Sequence, residues 1–508
     1  MRSRWLLLCS ALAFYATACG ASSSVRSGDA SPVAMRPGDS ADRTTVPDSV
    51  PDSTPPDSTP ATDPPDVTDA TDDTSVDTSV PGETIPETGP RFSFDAAKPE
   101  QGYDAFLEKA INDIQDYWRY TYPLVYGGDF KELEGGVVAA YPGMGDGPTG
   151  CDLTRATYDE IRQLRAFYCS DGDFIAYDDG DLFPTLDTEI GRFSLAMALS
   201  HEFGHAVQQR ARMRGATILL EQQADCFAGA WVRHAADGGA GDIKFNDDDL
   251  NVSLTGLIAF RDAPGVMSND PQAHGSGFDR VGAFQEGWFG GAARCKTFDT
   301  DAPPTTQLPF TTGDVSTGGN APYDQLIDFL RTALDAVWTA ELATRAPGFT
   351  APLFDIGSDA TSSRCADVPE GALRVAYFCT ATNTIVASER RLRQLYDRYG
   401  DNAAGVVIAE AYSDAAQVAL NSSLSGELRA LTSDCFTGAW TRALFPDETT
   451  TKEVVISAGD LDEAIQTLIV IGDPSADTNL RGSPFEKIDS FRKGVLGGMD
   501  TCTALLAP

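Results

Sequence analysis

The run His201-Glu202-Phe203-Gly204-His205, followed sixteen positions later by Glu221-Gln222-Gln223-Ala224-Asp225, constrains this chain more than any other stretch. Two imidazoles at i and i+4 reach one point when the backbone between them is helical, because those positions lie one above the other on the same face. Phe193, Met197, Ser200, Gly204 and Val207 recur at the three- and four-residue steps such a helix needs, with Asp187 or Thr188 as N-cap and Gly215 as stop. Gly204 inside the helix costs on the order of 1 kcal/mol relative to alanine, so a backbone passing close by is expected there. Glu221 opens a second helical segment and completes a His₂Glu set, the three protein ligands of a catalytic zinc site that keeps its fourth position open. Glu202 is placed as the base, and Asp225, one turn past Glu221, to accept the free ring N–H of a ligating histidine. The chain holds four histidines, His201, His205, His234 and His274, so two at ligand spacing argue against a chance arrangement.

Three stretches resemble the neutral zinc metallopeptidases of bacteria, a gluzincin-like group. They are His201 to Gln208, Glu221 to Trp231, and His274-Gly275-Ser276 running on to Arg280, Val281, Phe284, Gly287 and Cys295. The likeness covers roughly residues 95 to 300. It implies that His201, His205 and Glu221 bind zinc, that Glu202 is the catalytic base, and that the substrate is a peptide or protein. It also implies an edge strand that receives the extended substrate, for which Phe174 to Tyr177 is the candidate.

The chemistry so implied is metal-assisted hydrolysis, with Glu202 taking a proton from a water that the zinc acidifies. His274 stands in the loop-like segment Asp270 to Ser276 and is the candidate donor to the oxyanion. The alternative is that this segment only caps a helix, with Ser276 as N-cap before the amphipathic stretch Phe278 to Phe289. His234, near Gly238-Gly239, reads as a helix C-terminal residue.

An internal repeat reshapes the rest. Asp434-Cys435-Phe436-Thr437-Gly438-Ala439-Trp440 repeats Asp225-Cys226-Phe227-Ala228-Gly229-Ala230-Trp231 at an offset of 209 (434 less 225). At that offset Glu410 stands for His201, Ala411 for Glu202, Asp414 for His205 and Ala430 for Glu221, so the second copy should not bind zinc. Phe278 to Cys295 aligns with Phe485 to Cys502 in the same way, offset by 207 (485 less 278). Outside the leader, the cysteines sort into the same two sets. Pairing duplicated partners gives Cys151 with Cys169, Cys226 with Cys295, Cys365 with Cys379 and Cys435 with Cys502, the simplest of the connectivities open to an exported chain.

Met1 to Tyr15 reads as a secretory leader, basic then apolar and too short to anchor a mature protein. Ala16-Thr17-Ala18-Cys19 is an A-x-A cleavage site and also resembles a lipoprotein box, so the chain is expected to be exported and either lipidated on Cys19 at the cell surface or secreted. Residues 19–90, rich in Pro, Ser, Thr and Asp, cannot build a core and read as an acidic tether. The net charge of −37 argues against nucleic acid and anionic lipid as partners, leaving the N-terminal lipid as the one membrane contact. Asp247-Asp248-Asp249 and Asp171-Gly172-Asp173 lack the spacing of a calcium loop.

These patterns predict an α+β, mostly helical zincin-like fold with a small sheet: a signal peptide (1–18), the tether (19–90), a zinc peptidase domain (91–300), a linker (301–320) and a degenerate repeat (321–508). Strands are expected at 166–169 and 174–177, with counterparts at 375–378 and 384–387, and each half opens with an amphipathic helix, near Tyr103 to Tyr120 and Tyr323 to Leu342. Two functions fit, a zinc peptidase and a non-catalytic envelope module made of two peptidase-like domains. Retention of Glu202 favours the first.

Overall fold

The structure, a computed structural model, describes residue 85 and residues 89–506, apart from 154, 242, 271, 307, 309, 312, 358–364, 366–374, 447–453 and 472–481. The expected signal peptide, Cys19 and nearly all of the tether lie outside the described residues.

Helix α1 (Asp104–Tyr126) buries Leu107, Ile111, Ile114 and Trp118, a stripe at three- and four-residue spacing, and Gly127 at φ +75° ends it. Strand β1 (Gly136–Ala140), helix α2 (Tyr158–Leu164), and strands β2 (Ala166–Cys169) and β3 (Phe174–Asp178) follow. The sheet order is β1-β3-β2, with β3 parallel to β1 and antiparallel to β2. Then come α3 (Leu182–Glu189), α4 (Phe193–Ala211), α5 (Thr217–Ala236), α6 (Asp247–Ala259) and α7 (Gly277–Lys296).

After the short α8 (Asp314–Thr317), the order recurs: α9 (Tyr323–Arg345), β4 (Leu353–Gly357), β5 (Ala376–Cys379), β6 (Thr384–Ser388), α10 (Glu389–Tyr399), α11 (Asp401–Ala419), α12 (Gly426–Ala443), α13 (Asp460–Ile471) and α14 (Pro484–Ala504). The second sheet, β4-β6-β5, has the same pattern of one parallel and one antiparallel neighbour. Helices dominate and the sheets are small and mixed, so the class is α+β.

Three expectations need correction. Asp187 and Thr188 do not cap the helix that carries His201 and His205: they belong to α3, and Gly191, at φ +138°, breaks the chain before α4. That helix stops at Arg212 in the left-handed conformation rather than at Gly215. Phe174 to Tyr177 is not an edge. As part of β3 it is the middle strand, buried throughout and hydrogen-bonded on both sides, so no substrate strand can pair with it. The acidic runs also find local roles. Asp249 closes a capping box with Asn246 at the start of α6, and Asp173 accepts from the Glu134 amide and Arg210.

All four expected disulfides are present, and no described helix is long and apolar enough to cross a membrane. Cys226–Cys295 ties α5 to α7 where the two helices already touch. A Cβ on Gly287 would lie 1.8 Å from the Cys226 carbonyl oxygen, and one on Gly229 2.0 Å from that of Phe284, so only glycine permits this approach. In the second half a Cβ on Gly494 would lie 1.9 Å from the Cys435 carbonyl oxygen, and one on Gly438 1.9 Å from that of Phe491.

The described residues belong to one compact unit, and the two halves meet across a continuous apolar core. Their contact is reciprocal. Gln285 Nε2 donates to the Phe485 carbonyl at 3.1 Å, and Arg492 Nε donates to the Phe278 carbonyl at 3.2 Å. Residues 285 and 492 are equivalent at the offset of 207, as are 278 and 485, so each half offers the other the same face. Gly282 leaves the room that Arg492 occupies.

Candidate metal centre

Two buried helices build the site. α4 carries His201, Glu202 and His205, and α5 carries Glu221 and Asp225. A Cβ on Gly204 would lie 2.9 Å from the Ala224 Cα, which explains the glycine inside α4: it lets α5 bring its carboxylates up to the histidine face.

His201 Nδ1 faces Asp225 Oδ1 at 2.7 Å, so this nitrogen carries the ring proton and donates it to the carboxylate. His205 Nδ1 faces Gln208 Oε1 at 2.9 Å, and Gln208 Nε2 donates to the Leu220 carbonyl, which fixes the amide so that His205 Nδ1 is again the donor. Both Nε2 atoms then present lone pairs toward one point. They stand 3.2 Å apart, with Glu221 Oε2 3.3 Å from His201 and Glu221 Oε1 3.4 Å from His205. Glu221 Oε2 is buried and receives no hydrogen bond.

Lone pairs from two imidazoles and a carboxylate so close together repel unless a cation lies among them. Atoms held at about 2.0–2.1 Å by a tetrahedral zinc are separated by about 3.3–3.4 Å, close to the distance between the ring nitrogens and from each to its own Glu221 oxygen. Two nitrogens and one carboxylate oxygen are also a donor set that zinc accepts, so the residues present fit that ion.

Burial by itself would depress both imidazoles. The charge on Asp225, with Glu221 and Glu202, overcomes this and pushes His201 up to about 10, and Glu221 does the same for His205 in direction. Burial would raise Glu221, yet the two rings hold it well below the usual carboxylate range. Protons and a metal therefore compete for the same lone pairs. Glu202 is buried and its charge acts on both rings, which sets it beside them.

Arg280 on α7 is the site residue whose role the sequence left unread. Its Nε and Nη2 donate to the two oxygens of Asp225 at 2.9 and 2.8 Å, and its Nη1 donates to the Phe260 carbonyl. Burial would raise Asp225; Arg280 first and His201 second hold it low, so it remains an acceptor for the ring. A signal did exist. Lys487, the residue 207 positions beyond Arg280, is basic as well. Gln208 was equally legible: Gln208 Nε2 donates to Leu220, and Gln417 Nε2 donates to Arg429, the same bond 209 residues on.

His274 donates its backbone N–H to Asp262 Oδ2 at 2.7 Å, and its Nδ1 lies 3.3 Å from Asp262 Oδ1. Its segment borders α5 through Gly275, which faces Ile218 three residues before Glu221. Ser276 does cap α7, accepting from the Asp279 amide. His234 lies in the last turn of α5, and burial lowers its pKa to about 4, so it is a neutral ring packed on Tyr117.

At the equivalent place in the second half, Lys487 Nζ donates to both oxygens of Asp434 at 2.9 Å and pairs with Glu410 at 3.5 Å. Asp414 accepts from Ser433 and pairs with Arg429. A buried ammonium thus neutralises the carboxylates at this position.

No family model matches the chain. An uncharacterized protein of Mycobacterium tuberculosis is 26% identical over 239 residues, covering 40% of this chain and 76% of its own. An uncharacterized protein of Mycobacterium bovis matches to the same extent. The uncharacterized protein YpfJ of Escherichia coli is 27% identical over 176 residues, covering 30% of this chain and 58% of its own. No solved structure matches. Function therefore has to be argued from the site.

Proposed function

We propose that this chain is a zinc-dependent peptidase of zincin-like fold whose zinc is held by His201, His205 and Glu221. The observation that carries this reading is the convergence of two ring nitrogens 3.2 Å apart on one carboxylate, each 3.3–3.4 Å from one of its oxygens, with both rings turned to offer Nε2. Zinc, when bound, supplies Lewis acidity toward water and a substrate carbonyl. Glu202 accepts the proton of the attacking water and returns it to the leaving amine. Asp225 holds the His201 tautomer, Gln208 holds that of His205, and Arg280 keeps Asp225 ionised. His274, through the ring nitrogen turned away from Asp262, is the donor proposed for the oxyanion.

Residues 321–508 are, in this reading, a degenerate copy of the same domain. The shared sheet order, the Gln208 and Gln417 bonds and the paired glycine contacts support it. Four disulfides suit an oxidising compartment, in keeping with export, and Cys19 is the proposed lipidation site.

Bound zinc and cleavage of a broad peptide library, measured for wild type and Glu202→Gln, test the proposal. Zinc in both proteins with cleavage reduced about 10²–10⁴-fold in the variant is expected. Zinc without any difference in cleavage makes the chain a binding module, and wild type without zinc removes the reading altogether.

A further inference from the structure

The second half does more than copy the first. Its helix α13 projects Asp462 against the segment that leads into α7. Asp462 Oδ1 accepts from the Phe278 amide at 3.0 Å, and Oδ2 lies 3.2 Å from Arg261 Nε. Asp462 is 4% exposed, and a Cβ on Gly277 would come within 3.2 Å of both its carboxylate and the Arg261 side chain, so the fit is close on every side. The two segments that Asp462 grips, Phe260-Arg261 and Phe278, are the ones that hold Arg280. The Phe260 carbonyl accepts from Arg280 Nη1, and Phe278 lies two residues before Arg280 on the first turn of α7. The loop between them is closed at its base by Asp262, which takes the amides of His274 and Gly275. A carboxylate at the first turn of a helix also complements the exposed N–H groups there.

We infer that Asp462 is a positioning residue for the metal centre of the first half: it sets Arg280, Arg280 sets Asp225, and Asp225 sets the His201 ring. This rests on the zinc reading of that site. It gives the second half a defined task, since Asp462 lies 237 residues from Asp225 in sequence (462 less 225) yet reaches it through the backbone at Phe278 and the Arg280 side chain. The outer links of the relay are charge-assisted hydrogen bonds and its middle link is the backbone at Phe260-Arg261 and Phe278, all in a buried place where a shift of one partner is passed to the next rather than absorbed by solvent.

The test uses the full chain. Zinc affinity is measured by competition with a chelator, and the visible spectrum of the cobalt-loaded protein reports ligand geometry independently of any activity. Asp462→Ala is expected to weaken zinc binding about tenfold, the lower end for residues that support metal ligands indirectly, and to shift the cobalt bands. Asp462→Asn keeps an acceptor for Phe278 and falls between the two. Gln285→Ala, which cuts another buried bond between the halves, is the control for general loosening; its cobalt spectrum is expected to match wild type. Wild-type affinity and spectrum in Asp462→Ala overturn the inference, and so does an equal shift in Gln285→Ala. If Asp462→Ala does not fold, Arg261→Gln, at a more accessible side chain, is read by the same two measurements, and wild-type values there overturn it too. A wild-type chain that binds no zinc fails the proposed function itself, a result distinct from zinc binding that ignores residue 462.

Discussion

Arg280 closes on both carboxylate oxygens of Asp225, at 2.9 and 2.8 Å, while the same carboxylate takes the ring proton of His201 at 2.7 Å. Asp225 thus stays ionised in a fully buried place and keeps His201 facing its neighbours with a lone pair. Arg280→Gln is expected to lower zinc affinity about 10–100-fold, as losses of outer-shell partners do. Removing one member of a buried pair also costs about 3–5 kcal/mol of stability, so thermal unfolding should fall with it. Arg280→Lys should recover part of both, because a lysine serves Asp434 in the second half. Chelator competition and calorimetry on the two variants check this.

The second half should contribute no metal. One zinc per chain is expected by elemental analysis of wild type. Lys487→Met takes away the cation that holds Asp434, and a loss of about 3–5 kcal/mol of stability is expected with the zinc content unchanged. A second zinc in wild type, or loss of the first in the variant, would contradict the assignment.

Asp279 gives a pH dependence with a defined sign. Burial raises its carboxyl to about 7, against which the Thr306 amide and Arg492 work only partly. The raised value means that the folded chain keeps a proton the unfolded chain releases near 4, so this stabilising contribution is present at acid pH and is lost as pH rises through 7. Asp279→Asn, which still offers Thr306 an acceptor, should match wild type at pH 3.5, gain on it between pH 4 and 7, and exceed it by about 1–4 kcal/mol at pH 8.5. Denaturant unfolding at the two pH values decides it.

Gly287 has no room for a methyl group. Gly287→Ala forces α7 away from α5, and overpacking of this kind costs about 1–3 kcal/mol or more. Because α5 carries Glu221 and Asp225, zinc affinity should fall as well. Gly494→Ala, the equivalent change between α12 and α14, should cost comparable stability and leave zinc affinity alone.

Local signals and near neighbours were legible in the sequence. The i,i+4 histidines on one helix and the strands around Asp171-Gly172 follow from periodicity or turn chemistry, the nearness of Glu221 to those histidines from the chemistry of its side chain, and the repeat paired the cysteines. Strand β1 escaped because Gly136 to Ala140 alternates weakly and pairs with β3 only through a parallel crossover, a contact that no local pattern encodes. The same nonlocality hid the middle position of β3. Arg280 was visible as a letter but not as a partner, since its bond to Asp225 spans 55 residues and depends on where α7 packs. Asp462 lay further out of reach, because its role exists only once the halves have met.

The mirrored bonds of Gln285 to Phe485 and Arg492 to Phe278 carry one last consequence. Residues such as Phe278, Val281 and Phe284 are kept from water partly by a cover that the same polypeptide supplies. A shortened version ending before residue 320 would carry a bare, sticky ridge along α7 and would tend to self-associate through it. Tethering the cover to the first half makes shielding of that ridge independent of how dilute the protein becomes, whereas partners held by mass action alone would drift apart.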